Sequence, residues 1–227
     1  MRAAASQAAA ERGDTAFLRK VTGQYPKFVA FLTQKLGVQF RGRVLELGAG
    51  AAWFSAELSK LPKVVEVIAT DFGPPVEAAQ SAKVFAALHA NEKKITRMPL
   101  QPHRLDFPDN HFDFVVCSGV LHDALNLFHL LREIRRVLKP GGQLIAVREP
   151  VRPAVPWRPQ RGKATSPAMR VPLYSRADYE DTFDRAGFAL EMHRVSLATG
   201  LKYYFDKVVN GFTHARYAFI AAKRGRG

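Results

Sequence analysis

The chain has 227 residues, 47% hydrophobic and 24% charged, a balance expected of a soluble globular protein with one α/β domain, two small domains being the lesser alternative. No apolar run reaches the ~18 residues that a membrane span needs, and the single cysteine, Cys117, excludes an internal disulfide. The net charge of +14 leaves nucleic acid, an anionic membrane surface or an acidic substrate as partners to weigh, beside a surface that is merely solubilising.

The opening MRAAASQAAAERGDTAF has no strongly apolar core and is interrupted by Glu11 and Asp14. It reads as a helix start rather than a signal peptide, so the expected location is the cytoplasm. Residues 3–12 are alanine-rich. From Thr15 to Leu36 apolar residues recur at helical spacing (Phe17, Val21, Phe28, Phe31, Leu32, Leu36), and Gly37 ends the run. Pro26 is expected to break or kink this helical region into two pieces. A short buried strand follows at 43–47, then a helix at 53–61 and a β-branched strand at 64–70. A helix at 75–89 and a strand at 94–98 come next.

The turn Pro108-Asp-Asn-His111 opens a fourth strand at 112–117. An amphipathic helix is predicted over 124–138, stopped by Lys139-Pro-Gly-Gly142, with Asp123 as its cap. A fifth strand is predicted at 143–147. A proline- and arginine-rich loop then runs to Pro172. Ser175 is placed to cap a helix reaching about Ala186, ended by Gly187. Strands at 188–195 and 217–222 follow, with a helix possible at 201–209. The tail KRGRG carries two further arginines. This alternation of strand and helix predicts an α/β fold with a doubly wound, mainly parallel sheet. Ligands of such sheets sit beyond the carboxyl ends of the strands. That singles out Gly48, Asp71, Gln101 to Phe107, Ser118 to Asp123, and Arg148 with Glu149.

The segment VLELGAGAAW turns a buried strand on two glycines, Gly48 and Gly50. A dinucleotide fingerprint wants a third glycine where Trp53 stands, and the indole opposes close packing of helix on strand there. Asp71 lies 21 residues after Gly50, at the predicted end of the second strand. A carboxylate there can accept from both hydroxyls of a ribose, or it can simply cap the next turn.

The pieces VLELGAG, VIATD, LDFPDNHFDFVVCSGVLHDAL and LREIRRVLKPGG occur in this order over residues 40–150, with a weaker echo in YSRADYEDTFDRAGF. Together they resemble the class I S-adenosylmethionine-dependent methyltransferases. The resemblance implies a seven-stranded sheet of order 3-2-1-4-5-7-6 whose last strand is antiparallel, with S-adenosylmethionine as cofactor and S-adenosylhomocysteine as product. It implies one domain over 1–227: an N-terminal helical lid (1–38), a cofactor-binding core (40–150), a substrate-side loop (150–172) and a C-terminal helix with strands (173–223). It gives Glu46 the cofactor's amino group. Gly48, Ala49 and Gly50 become the backbone against which the methionyl and ribose atoms lie. Asp71 receives the ribose hydroxyls, Phe72 packs on adenine, Gln101 and Leu105 frame the adenine edge, and Ser118 faces the methionyl end. Alanine stands at 52 where the family often has glycine. Gln101 stands where it often has aspartate, and Pro102 has no N–H to donate.

Methyl transfer from a sulfonium is an in-line displacement that asks for alignment and dryness, and for a base when the acceptor is a hydroxyl or a protonated amine. His122, just after the fourth strand, is the candidate base; a histidine that only packs or caps a helix start is the alternative. Arg148, Glu149, Trp157 and Tyr25 are candidate substrate contacts. The loop's arginines suit a carboxylate or phosphate, and Trp157 could stack on a ring. Cys117 sits within a buried strand and reads as a small apolar residue. The scattered histidines predict no metal site. The expected activity is methyl transfer to a small-molecule acceptor: a metabolite, or a sugar- or lipid-linked group. A nucleic-acid methyltransferase and a non-catalytic binding protein on the same fold remain the alternatives.

Overall fold

The computed structural model describes residues 2–71, 77–100, 104–152, 173–195 and 216–225, with side chains from Asp14 in the first helix and from Gln80 in the third. The predicted helix at 201–209, Trp157 and most of the loop before Pro172 lie outside the described residues, as do Phe72, Gln101 and Pro102. The chain divides into two compact units, residues 1–102 and 103–227.

The first unit holds α1 (Arg2–Ala30), β1 (Gly42–Leu47), α2 (Trp53–Ser59), β2 (Val64–Asp71), α3 (Glu77–Leu88) and β3 (Ile95–Pro99). β2 pairs in parallel with both β1 and β3. Val44, Leu45, Leu47, Val67 and Ala69 are buried on these strands, as expected where helices cover a parallel sheet. The predicted break at Pro26 does not occur: α1 runs through it to Ala30. Val21, Tyr25, Phe28, Val29 and Leu32 form one buried stripe. Burial of each large side chain is worth about 1.5–3 kcal/mol, and together they outweigh the ~3 kcal/mol penalty of one proline. The departure from α geometry comes later, as a π-helical turn at Phe31–Lys35 in which Leu36 N–H donates to the Phe31 carbonyl. Gly37, at φ +70, ends it.

The second unit holds β4 (Phe112–Ser118), α4 (Leu127–Val137), β5 (Leu138–Pro150), α5 (Arg176–Arg185), β6 (Phe188–Arg194) and β7 (Arg216–Lys223). β4 and β5 are parallel, and β7 lies antiparallel to both β5 and β6. The strand order is β3-β2-β1-β4-β5-β7-β6, as the resemblance implied. Tyr179 and Phe183 of α5 pack on Phe219 of β7 and are fully buried.

Two local expectations are corrected here. Asp123 does not cap α4: it ends a short 3-10 turn, Leu121–Asp123, and Asn126 is the cap, its side chain accepting from His129 N–H at 2.9 Å. Lys139-Pro-Gly-Gly142 follows the helix as predicted but belongs to β5, whose pairing with β4 shifts register between Phe112 and Phe114. Gly142 fits because an added Cβ would stand 3.0 Å from the Lys139 carbonyl and 3.1 Å from that of Asp113. Ser175 caps α5 as predicted, in a reciprocal box with Asp178.

Candidate functional site

In the first unit the turn after β1 is built from left-handed residues: Gly48, Gly50 and Ala52 have φ of 62°, 51° and 55°. Glycine adopts this at no steric cost, and Ala52 adopts it under mild strain. Gly50 is held from both sides. Its N–H donates to Asp71 Oδ2 at 2.6 Å, and its carbonyl accepts from Arg97 Nη2 at 3.0 Å. Arg97 also bonds Ser81 on α3. Ala49 N–H is fixed on the Thr70 carbonyl at 2.9 Å, and the Thr70 hydroxyl donates to the Glu46 carbonyl at 2.7 Å. The turn is therefore locked to the end of β2, through both Thr70 and Asp71.

Glu46 is buried beneath the start of α2. Its Oε2 accepts from Ser55 N–H at 2.8 Å and from the Ser55 hydroxyl. Burial pushes its carboxyl up to about 7; the two Ser55 hydrogen bonds pull the other way, and the neighbouring charge of Asp71 adds to the rise. A carboxyl in this state gains from a cation, which would restore its charged form. Tyr25 packs in an aromatic stack, its ring 4.3 Å from Trp53, which in turn stacks on Phe54 at 4.8 Å. The chemistry of this turn fits an amino-acid nucleoside such as S-adenosylmethionine. A buried carboxylate suits an ammonium group, left-handed backbone lets a ligand lie close, and an acidic residue at a strand end suits vicinal hydroxyls.

In the second unit the carboxyl ends of β4 and β5 carry a second arrangement. Glu149 is fully buried and its carboxylate gathers the turn after β4. Oε1 accepts from Val120 N–H at 2.9 Å and Leu121 N–H at 3.1 Å; Oε2 accepts from His122 N–H at 3.3 Å and lies 3.0 Å from His122 Nδ1. A bulge sets this up. Ala146 faces Phe219 and Glu149 faces Tyr217, so three steps on β5 match two on β7, and Glu149 returns to the face that Ala146 occupies. Arg148, at φ 62°, carries the bulge. The Glu149 carboxylate is thus fully buried and taken up by the turn and by His122.

His122 is half-buried. Burial lowers its pKa, but the hydrogen bond and the charge of Glu149, with a further push from Asp123, raise it overall. The carboxylate fixes the proton of the neutral ring on Nδ1, so Nε2 is the basic atom; Asp123 Oδ1 lies 3.4 Å from it. Ser118 ends β4 with a buried hydroxyl that has no hydrogen-bond partner among the described residues. Leu105 is held by a clamp: its N–H donates to Glu133 at 3.2 Å and its carbonyl accepts from Arg136 at 2.7 Å. The guanidinium of Arg136, hydrogen-bonded to Glu133, holds that carboxyl below its usual range. Among the described residues no group of His, Cys, Asp or Glu is placed to hold a metal ion.

Sequence reasoning missed Arg97, Ser55 and the Glu133–Arg136 clamp. Ser55 had a signal, a polar residue on the otherwise apolar start of α2. Arg97 had none, since its partner Gly50 is 47 residues away.

Residues 45–146 match the family described as a methyltransferase domain. The ubiquinone/menaquinone biosynthesis C-methyltransferase UbiE of Pseudomonas fluorescens (strain SBW25) is 29% identical over 127 residues, covering 55% of this chain and 48% of that protein. The demethylmenaquinone methyltransferase of Mycobacterium marinum is 35% identical over 103 residues, 45% of this chain and 39% of that protein. The chain thus spans less than half the length of these relatives. A crystal structure of a SAM-dependent methyltransferase from Aquifex aeolicus superposes with a TM-score of 0.61 at 18% identity, over 90% of this chain and 93% of that one. That likeness is one of fold.

Proposed function

We propose that this chain, whose residues 45–146 match a methyltransferase domain, is a class I S-adenosylmethionine-dependent methyltransferase and that it transfers a methyl group to a small-molecule acceptor whose proton is taken by His122. The observation that carries the reading is the His122–Glu149 pair, an imidazole held at Nδ1 by a fully buried carboxylate. When bound, S-adenosylmethionine supplies the activated methyl group. The chain's own residues do the rest. Glu46 receives the ammonium of the cofactor, Asp71 accepts from its ribose hydroxyls, and the left-handed turn at Gly48–Gly50 gives it a fixed backbone surface. Ser118 offers it a hydroxyl.

His122 Nε2 accepts the acceptor's proton, and Glu149 stabilises the imidazolium that forms. The proton leaves on His122 as the acceptor gains the methyl group, so charge is conserved. Arg148 remains a proposed substrate contact. Tyr25 is proposed as part of the wall rather than as a moving cover, since its ring is already stacked on Trp53. Relatives named for quinone methylation make a phenolic or quinol-type ring the first acceptor class to try. A phenolic hydroxyl is acidic enough for histidine to deprotonate, and the resulting phenolate activates its ring carbons.

The test is methyl incorporation from labelled S-adenosylmethionine into a set of hydroxylated aromatic acceptors that includes reduced demethylmenaquinone. Turnover that falls at least about a hundredfold in His122→Gln supports the reading. Undiminished turnover in that variant removes His122 as base, and no labelled product from any acceptor counts against the substrate class.

A further inference from the structure

The reading above leaves the charge of +14 unexplained. Part of it gathers in the second unit, in a cleft of about 730 Å³ at the end where β4 begins and β7 finishes. Six cations line it: Arg132, Arg135, Arg136, Arg185, Lys223 and Arg224. Only two carboxylates do, Asp109 and Glu133. Both are taken by Arg136, at 2.9 Å each. Arg185 and Arg224 have exposed acidic partners in Asp181 and Asp184, at 3.4 and 2.5 Å. Arg135 has no carboxylate among the described residues; its guanidinium donates to the carbonyls of Gly187 and Arg224 at 3.3 and 3.1 Å. Arg132 is exposed and makes no hydrogen bond or ion pair among the described residues.

Placing so many like charges together works against folding. Arg132 and Arg136 stand one turn apart on α4, a spacing at which like charges repel. The helix dipole favours Arg135 and Arg136 in the last turn, but it does nothing for Arg132, Lys223 or Arg224. The cleft is also shaped. A Cβ on Gly187 would stand 2.6 Å from Arg135 Nε, so the glycine is what lets that guanidinium lie where it does. Gly141 and Gly225 leave their backbone open, with nothing within 4 Å of an added Cβ.

We propose that this cleft binds a phosphate-bearing polyanion, with two or more phosphoryl charges presented together, at a site separate from the His122 turn. The separation follows from β4: the cleft borders its start at Asp109–Asn110 and the His122 turn follows its end, about 20 Å along a strand of this length. Guanidinium forks match phosphate oxygens in pairs and stay charged at every working pH. The volume is that of a small-molecule site, which argues for a compact polyphosphate group rather than an extended strand as the ligand.

Calorimetry on the full chain at low salt, with inorganic pyrophosphate as probe and orthophosphate as control, tests this. Pyrophosphate should bind more tightly than orthophosphate and weaken as salt rises. The double variant Arg132→Gln/Arg185→Gln should lose about tenfold or more in affinity, about 1.4 kcal/mol. S-adenosylhomocysteine titrated into the same preparations separates this from the methyltransferase reading, because its affinity should not change in the double variant. Pyrophosphate affinity equal in wild type and variant would overturn the proposal. So would a single-stranded oligonucleotide that binds where pyrophosphate does not, since the surface would then track a nucleic-acid backbone.

Discussion

Oε2 of Glu149 lies 3.0 Å from Nδ1 of His122, and the same carboxylate accepts the backbone N–H of Val120, Leu121 and His122. One buried acid thus fixes the turn and the tautomer of its histidine together. Replacing it by glutamine keeps an acceptor but removes the charge. In Glu149→Gln the His122 pKa should fall toward or below the ordinary histidine value, measured by NMR titration of the ring. The sign follows from the raised native pKa. The pair's stabilisation is present below the ordinary histidine pKa and is lost as pH rises through the native value. An unchanged titration in the variant would mean that Glu149 does not govern the ring.

Glu46 gives a second pH signature. Its native carboxyl is raised to about 7 from 4.5, so its contribution is fully present below the lower value and is lost as pH rises through the higher one. Urea melts at about pH 4 and about pH 8 should show wild type losing stability relative to Glu46→Gln over that interval. A parallel pH dependence in the two proteins would place the titration elsewhere.

The cap of α4 separates two neighbouring residues. Asn126→Ala should cost about 1 kcal/mol, and Asp123→Ala should leave the helix almost untouched. Denaturant midpoints decide it, and the reverse order would restore Asp123 as the cap.

Tyr179 is fully buried and its hydroxyl has no partner among the described residues. Burial, the largest cause, and then the charge of Glu149 push its ionisation far upward, so it stays a neutral donor. Tyr179→Phe removes only that hydroxyl and should raise stability by about 1 kcal/mol. A loss of stability instead would show that the hydroxyl is satisfied in the folded chain.

Which of these features could be read from the sequence depended on how local their causes are. The glycine turn, the Ser175 cap and the strands depend on near neighbours, and their residue types stand out. The strand order came through the resemblance, because a crossover leaves no mark on spacing. Pro26 misled because its cost is local while the burial that overrides it is tertiary. The inward turn of Glu149 depends on a bulge against β7, about seventy residues on in the chain. Alternation alone would set it on the other face. The Arg97–Gly50 bond spans 47 residues and has no sequence signal. Asp123 and Asn126 are equally good capping types, and only the 3-10 turn decides between them.

The measurement that bears most directly on the account is calorimetric titration with S-adenosylhomocysteine of wild type and Asp71→Asn. Asparagine can still accept from Gly50 N–H, so the turn should keep its anchor while the charged acceptor proposed for the ribose is lost. The account predicts a stoichiometric site of low-micromolar affinity, about −8 kcal/mol, in the wild type and a marked weakening in the variant. A folded wild-type chain that binds no S-adenosylhomocysteine would contradict it.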